Sequence, residues 1–268
     1  MDTFNFVFIF QVCLTLSLFG GIYFCLKNRP AARIYWRFGK NIASCFALVE
    51  LILFVQRGVL ANTSILIPFH FLSISLAAMS GMLFLKKLHL PSLPLLITIG
   101  QSKPSRSSTK MLSQRLLPIL FYSVLVCGFT FILFKLTNPE LSDALKNAAE
   151  GQTQATRNIK IGYSSVIFFV LVALYEEVLF RLYIQSFFSY IFRRTTLGWV
   201  YAILLTSIIF AVGHFGILET WWIKFTQTFV IGIILGVAMR KHGMETSLAV
   251  HSILNIFALY SSSYLVRA

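Results

Sequence analysis

Six polar side chains interrupt the apolar segments in the second half of the chain, and their types can hydrolyse an amide. They are Glu176, Glu177, Arg181, His214, His251 and Asn255. A carboxylate near an imidazole can take a proton from water, and an amide or second imidazole can donate hydrogen bonds to a tetrahedral oxyanion. Two imidazoles and a glutamate can instead bind Zn²⁺, whose bound water ionises near neutral pH. The residue types leave both mechanisms open, although the helix-borne HExxH zinc motif does not occur in the sequence.

A pair of adjacent acids distinguishes this group from an ordinary ion pair. On a helix, Glu177 and Arg181 are four residues apart and share a face, whereas Glu176 lies about 100° away around the axis. A structural ion pair needs only one acid. Burying one ionised group at the bilayer centre costs from about 2.5 to more than 10 kcal/mol. Three such groups within so short a stretch therefore favour a functional site over a packing role.

The same four-residue spacing occurs twice more in later apolar segments. It places Phe210 and His214 on one helix face, and His251 and Asn255 on another. A lone histidine in a membrane segment is commonly a hydrogen-bonded packing residue. Two histidines with an amide, two acids and an arginine are harder to explain by packing, so the set as a whole favours a shared site.

Three short motifs resemble those of a known protease family, in the family's order. Residues 176–181, EEVLFR, resemble the EExxxR motif of the CAAX-protease and bacteriocin-processing (CPBP, or Abi) intramembrane endopeptidases. Residues 210–214, FAVGH, and residues 251–255, HSILN, resemble the FxxxH and HxxxN motifs. The resemblance covers roughly residues 160–260. It implies an endopeptidase that cleaves near or within the membrane.

The resemblance also implies a role for each candidate residue. Glu176 and His214 are expected to activate the attacking water. His251 and Asn255 are expected to support the oxyanion. The substrates expected from the family are membrane-associated peptides or proteins, such as prenylated-type C-terminal peptides or bacteriocin and pheromone precursors.

The resemblance implies supporting roles for the other two motif residues, Arg181 and Glu177. Arg181 is expected to hold the acids, and Glu177 to act as an orienting or second acid. The family is named for metalloproteases, but its eukaryotic prenyl-protein members are also described as glutamate-dependent, so a divalent metal such as Zn²⁺ stays open. Family members often have glycine after the motif arginine, where this chain has Leu182. A small residue there permits close helix packing, so the approach of a neighbouring helix is expected to differ.

The composition is typical of a polytopic membrane protein. Of the 268 residues, 57% are hydrophobic and 12% are charged, about half the charged fraction of a soluble domain. The net charge of +14 fits basic residues that flank membrane spans, so no nucleic-acid partner is expected. We predict an all-α, polytopic transmembrane helix bundle of about eight spans. The predicted spans are 4–26, 41–56, 65–85, 116–136, 161–192, 198–217, 221–239 and 246–265.

The predicted spans group into two regions. We expect an N-terminal transmembrane region over residues 1–160 and a CPBP-like catalytic core over residues 161–268. Lys and Arg concentrate in the connections after spans one, three, five and seven, which predicts that both termini lie outside. The chain is expected to be an integral, multi-pass protein of a bacterial-type cell membrane, with the lipid bilayer as a partner. The sequence leaves the oligomeric state undecided.

The predicted boundaries conflict with a site shared by the two histidines. At 1.5 Å per residue, His251 lies about 9 Å into span eight and His214 about 24 Å into span six, counted from the same side. We therefore expect the boundary of span six to be wrong and residues 193–198 to lie outside the hydrocarbon. The GxxxG pattern at 232–236 predicts a close helix approach, and Gly243 predicts a helix end.

Two other functions fit the same sequence. A catalytically silent binding protein, such as a bacteriocin-immunity factor, would keep its fold without using the acids. A proton-coupled transporter would use Glu50, Glu176 and Glu177 as relay groups. No internal repeat supports the transporter interpretation.

Overall fold

The structure is a computed structural model that describes residues 18–24, 26–57, 66–90, 107–143 and 163–266. Over these ranges the chain forms helices, one isolated β-bridge between Leu141 and Leu218, and no strand. The predicted all-α class is therefore confirmed for this part of the chain. The α-helices are α1 (Arg29–Arg57), α2 (Leu66–Lys87), α3 (Ser107–Thr137), α4 (Tyr163–Glu176), α5 (Ser186–Ile191), α6 (Gly198–Val212), α7 (Trp221–His242) and α8 (Met244–Leu265), and a π-helix, Glu177–Gln185, joins α4 to α5.

Two of the described helices are long and apolar enough to cross a membrane. The segment Leu116–Thr137 of α3 has a mean hydropathy of 2.4, and Trp221–His242, which is α7, has 1.6. Helix α3 also exposes large apolar side chains, among them Leu117 at 69% and Leu136 at 78%, as a lipid-facing helix does. The predicted number of about eight spans is not confirmed. Most of the first predicted span, 4–26, lies outside the described residues.

Two described helices extend beyond the predicted spans, and one ends before its predicted span does. Helix α1 begins at Arg29, before the span predicted from residue 41, because Pro30 suits a first helical turn, whose backbone N–H groups need no partner within the helix. Helix α3 begins at Ser107, and its segment that is apolar enough to cross a membrane, Leu116–Thr137, agrees with the span predicted over 116–136. Helix α6 ends at Val212 rather than at residue 217, and the chain then turns, with Gly216 at a φ of 83°. The expected error in the sixth span thus lies at its C-terminal end.

The chain divides into two compact units. The first contains residues 1–92 and 170–202, and the second contains residues 93–169 and 203–268. In the first unit, α2 packs against α1 and against the π-helix. A Cβ on Gly39 of α1 would stand 2.5 Å from the Ser75 carbonyl oxygen of α2. The two helix backbones therefore touch at that glycine.

In the second unit, α8 packs against α3 and α7 around an apolar core. The buried core residues are Tyr122, Val126, Ile231, Leu235, Ala238, Val250 and Leu254. A Cβ on Gly232 would stand 2.9 Å from the Ser207 Cβ of α6, which confirms the close approach predicted from the GxxxG pattern. Gly243 ends α7 with a φ of 91°, a conformation that glycine adopts without steric cost, so the predicted helix end is also confirmed.

Candidate active site

The acidic motif lies at the start of the π-helix. Residues Glu177–Gln185 form nine consecutive π-helical residues, and all nine are buried. A π-helix bonds each residue to the fifth one along, occurs mostly as single turns inside α-helices, and is frequent at functional sites. The predicted helical run over 161–192 is confirmed from Tyr163 to Ile191. Its centre, however, departs from the α-helical geometry used to place the acids.

Beside Arg181, where Leu182 led us to expect a different approach of the neighbouring helix, a glycine on a facing helix makes a close contact. A Cβ on Gly81 of α2 would overlap the backbone carbonyl of Leu182, so the two backbones touch there. The π-helix is also held by a hydrogen bond of 3.1 Å from the Gly21 N–H to the Tyr183 hydroxyl. The leucine at position 182 therefore does not prevent close packing, because α2 contributes the small residue instead.

Arg181 and Glu177 form an ion pair, as their four-residue spacing predicted. Arg181 Nε lies 3.8 Å from Glu177 Oε1, and the two side chains are 0% and 1% exposed. Glu176 is the last residue of α4 and is half-buried. Both carboxylates attract the Arg181 guanidinium. The adjacent acids therefore differ in environment, since Glu177 is fully buried against the arginine whereas Glu176 retains partial exposure.

A second polar pair lies against Tyr175, the residue before the two acids. Glu50 Oε1 accepts a hydrogen bond of 2.8 Å from His70 Nδ1. The His70 ring centroid is 5.2 Å from that of Tyr175, and the Phe46 ring lies 6.0 Å from the same tyrosine. The sequence singled out Glu50 only as a relay group of a transporter and did not predict its pairing with His70. The two lie on different helices, and no local spacing signals such a contact.

His214 lies in the turn after α6, with its ring orientation fixed by a backbone hydrogen bond. Its Nδ1 is 2.7 Å from the Phe210 carbonyl oxygen. A carbonyl oxygen only accepts hydrogen bonds, so Nδ1 carries a proton. In the neutral imidazole Nε2 then has the lone pair, which is the form required of a general base or a metal ligand. The motif spacing is thus kept, although His214 is not on the helix itself as predicted.

Phe210 brings the two motif histidines close to each other. Its ring centroid is 4.5 Å from that of His214 and 5.9 Å from that of His251, and the His251 ring stands at 86° to it. The two imidazoles are therefore no farther apart than the sum of these distances. The predicted conflict in depth disappears, because α6 ends early and the turn carries His214 back beside Phe210.

Asn255 lies one turn after His251 on α8. Its Nδ2 donates a hydrogen bond of 3.2 Å to the Phe169 carbonyl oxygen of α4. His251 is buried at 3% exposure, whereas Asn255 is half-buried. The HxxxN motif thus combines a buried imidazole with an amide anchored to a neighbouring helix. The first unit holds the acids and the arginine, and the second holds the two histidines and this amide.

The motifs fall within a segment that matches a known family. Residues 159–257 match the sequence model of the family described as Rce1-like, the type II CAAX prenyl endopeptidase Rce1-like family. This match confirms the resemblance to the CPBP and CAAX endopeptidases, and all three motifs lie inside the matched segment. Neither a curated protein nor a solved structure matches the chain.

The matched family suggests a class of activity. The family comprises membrane proteins with CAAX-type protease activity, and the two apolar helices fit a membrane protein. The partner that such an enzyme requires is a peptide or protein substrate in the membrane. Within the described residues, no three His, Cys, Asp or Glu side chains gather where they could hold a metal ion.

Proposed function

We propose that this protein is an intramembrane endopeptidase that hydrolyses a peptide bond of a membrane-associated peptide, using water activated by a glutamate and a histidine. The observation that carries this proposal is the hydrogen bond between His214 Nδ1 and the Phe210 carbonyl oxygen at 2.7 Å. This bond holds the neutral imidazole in the tautomer whose Nε2 can accept a proton. That nitrogen is the group that a general base needs.

The reaction starts with proton removal from water. One proton passes from the water to the Glu176 carboxylate, while His214 Nε2 accepts a hydrogen bond from the same water. The water oxygen forms a bond to the substrate carbonyl carbon, and the carbonyl π electrons move onto the carbonyl oxygen. His251 and Asn255 donate hydrogen bonds to the resulting oxyanion. When the carbon–nitrogen bond breaks, the stored proton passes to the leaving amine. The products are a carboxylic acid and an amine, and the enzyme regains its starting protonation state.

The two acids have separate tasks in this proposal. Glu177 is fully buried and paired with Arg181 at 3.8 Å, so its carboxylate is already engaged by an opposite charge. Glu176 is half-buried at the end of α4, where a small water molecule has access. We therefore assign the base to Glu176 and the orienting role to the pair formed by Glu177 and Arg181.

The substrate class follows from the family match and remains the broadest part of the proposal. A CAAX-type peptide carries a prenylated cysteine near its C-terminus, and the prenyl chain places the scissile bond at the membrane surface. The described residues supply no observation that favours the silent immunity factor or the transporter over this function. A membrane-anchored peptide without the prenyl group is the natural comparison substrate.

The test is cleavage by the purified full-length protein in nanodiscs. An internally quenched, farnesylated CAAX-type peptide serves as substrate, and mass spectrometry identifies the cleaved bond. Glu176→Gln and His214→Asn are expected to lower kcat by about 10²–10⁴-fold, because each removes a group that accepts a proton or a hydrogen bond from the water. The asparagine retains an N–H near the Nδ1 position, so the hydrogen bond to Phe210 is preserved while the Nε2 lone pair is lost.

The matched control is Glu219→Gln, the same chemical change at an exposed glutamate. It should leave turnover unchanged. Both motif variants should melt within a few degrees of the unaltered protein. The proposal fails if the unaltered protein cleaves neither the farnesylated nor the unprenylated peptide. It also fails if both motif variants retain more than about a tenth of the turnover, since a general base contributes at least about 10²-fold.

A further inference from the structure

A cavity of about 580 Å³ in the first unit has a strongly basic rim. Lys27, Lys86, Lys87, His89 and Asn28 contribute polar groups to it. The three lysines and His89 are exposed. These side chains come from two separate stretches of the chain, one just before α1 and the other at the end of α2, so the basic rim is a product of folding.

Among the residues that the structure describes, no carboxylate lies within ion-pair distance of Lys27, Lys86 or Lys87 on the rim. Lys86 Nζ stands 6.0 Å from the centroid of the Tyr35 ring. Three ammonium groups around one cavity repel one another, and an anion in the cavity would remove this repulsion.

The backbone at the end of α2 holds a histidine where glycine is usual. The Leu90 N–H donates to the Leu85 carbonyl at 3.1 Å and the His89 N–H donates to the Lys86 carbonyl at 3.2 Å, the bonding pattern of a Schellman motif. His89 occupies the left-handed position of that motif with a φ of 52°. Glycine adopts this conformation without strain, so the imidazole is kept at the cavity against the local preference of the backbone.

The helix dipole explains only part of the rim. Lysines in the last turn of a helix offset the negative end of its dipole, which is sufficient reason for Lys86 and Lys87 at the end of α2. It does not explain Lys27, which comes from another stretch of chain, nor an imidazole in the left-handed position. A ligand that these groups share explains all four.

We infer that this cavity binds the phosphate headgroup of an anionic phospholipid. The rim provides ammonium groups and ring N–H donors for a phosphate. Leu83, which is buried, and Pro30 add an apolar lining for the glycerol and acyl carbons. The apolar run of α2, predicted to span the membrane over 65–85, ends at Lys86, and such a span would place the cavity at the depth of lipid headgroups. Basic pockets of this kind at the ends of membrane helices bind anionic headgroups.

The test is native mass spectrometry of the full-length protein in a neutral detergent, titrated with phosphatidylglycerol. One lipid should be retained, whereas phosphatidylcholine should not. The bound lipid should be released by raised NaCl, which screens the ammonium–phosphate contacts. Replacing Lys27, Lys86 and Lys87 by glutamine should weaken binding about fivefold for each lysine removed. Inorganic phosphate in millimolar excess should not displace the lipid.

The matched control is the triple substitution of Arg33, Arg37 and Lys40 by glutamine. These exposed residues of α1 do not line the cavity, and their removal changes the net charge by the same amount. Equal loss of lipid in both triple variants would show general surface attraction and overturn the inference. Displacement by inorganic phosphate, or equal retention of phosphatidylcholine, would also overturn it. The measurement involves no proteolysis, so its failure would leave the proposed function untouched.

His89→Gly separates binding from folding. Glycine relieves the left-handed backbone at φ 52°, so the variant should melt at the same temperature as the unaltered protein or higher. It should nevertheless bind phosphatidylglycerol more weakly. If His89 has only a structural role, the melting temperature falls and lipid binding is unaffected, and this outcome would contradict its place in the site.

Discussion

The acidic motif and the histidine motifs are held in place by different interactions. In the first unit, Glu177 and Arg181 are fully buried and hold each other as opposite charges at 3.8 Å within a π-helix. In the second unit, His214 is half-buried, and its ring is held by one hydrogen bond to a backbone carbonyl and by contact with Phe210. One motif depends on mutual charge compensation, and the other on neutral groups anchored to the backbone.

This difference predicts that stability and activity respond differently in the two motifs. Removing one member of a buried ion pair leaves the other charge without compensation, which is among the most destabilising changes a protein can undergo. Removing a neutral imidazole or amide costs about one hydrogen bond. Substitutions in the acidic motif should therefore lower the stability of the fold, whereas those in the histidine motifs should lower turnover with little change in stability.

The largest effect on stability is expected for Arg181→Leu. The substitution removes the opposite charge that the buried Glu177 carboxylate faces at 3.8 Å, and the free energy of unfolding should fall by about 3–5 kcal/mol. Thermal unfolding in detergent, followed by tryptophan fluorescence, measures the change. Arg193→Leu is the matched control, because Arg193 is exposed and donates from Nη1 to the Tyr190 carbonyl oxygen at 2.7 Å. A similar loss of stability in both variants would remove the distinction between the two motifs.

A smaller effect is expected for Gly81→Ala. The added methyl group would overlap the Leu182 carbonyl, and forced overpacking of this kind typically costs about 1–3 kcal/mol. The π-helix should shift with it, so turnover should fall as well. Gly128→Ala is the control, because a Cβ on Gly128 meets nothing within 4 Å. That variant should be neutral or more stable by up to about 1 kcal/mol. Equal melting temperatures for the two variants would contradict the backbone contact at Gly81.

Sequence patterns predicted the local parts of this molecule well. The run of apolar residues predicted the bounds of α2 to within about two residues at each end, and Gly243 predicted the end of α7. Both predictions succeeded because such helix bounds depend on nearby residues. The pairing of Glu177 with Arg181 followed from their spacing alone. These predictions succeeded where one helix face or one backbone angle decides the structure.

The features that the sequence did not predict depend on contacts between distant segments. The π-helix packs against α2, where Gly81 meets Leu182, and no periodicity in residues 161–192 signals its geometry. The bond between Glu50 and His70 joins two helices across 20 positions. The early end of α6 was missed because apolar residues continue past Val212, so a hydropathy window extends the helix beyond its last hydrogen-bonded turn.

Asn255→Leu tests whether the amide of the HxxxN motif has a chemical role beyond its anchor. The hydrogen bond to the Phe169 carbonyl is lost, so stability should fall by about 1 kcal/mol. Loss of an oxyanion donor should lower kcat by about 10²–10³-fold with little change in KM. Melting curves and peptide kinetics on the same preparation separate the two effects. If turnover falls only in proportion to the folded fraction, the asparagine is a packing residue.

The smallest change in stability, with a large change in activity, is expected for His214→Asn. Asparagine can keep the hydrogen bond to the Phe210 carbonyl, so the free energy of unfolding should stay within about 0.5 kcal/mol. His214→Leu removes that bond and should cost about 1 kcal/mol. Both variants lack Nε2, so both should lose turnover to the same extent although their stabilities differ. Recovery of turnover in the asparagine variant alone would mean that the anchored ring position, rather than the Nε2 lone pair, is what the reaction needs.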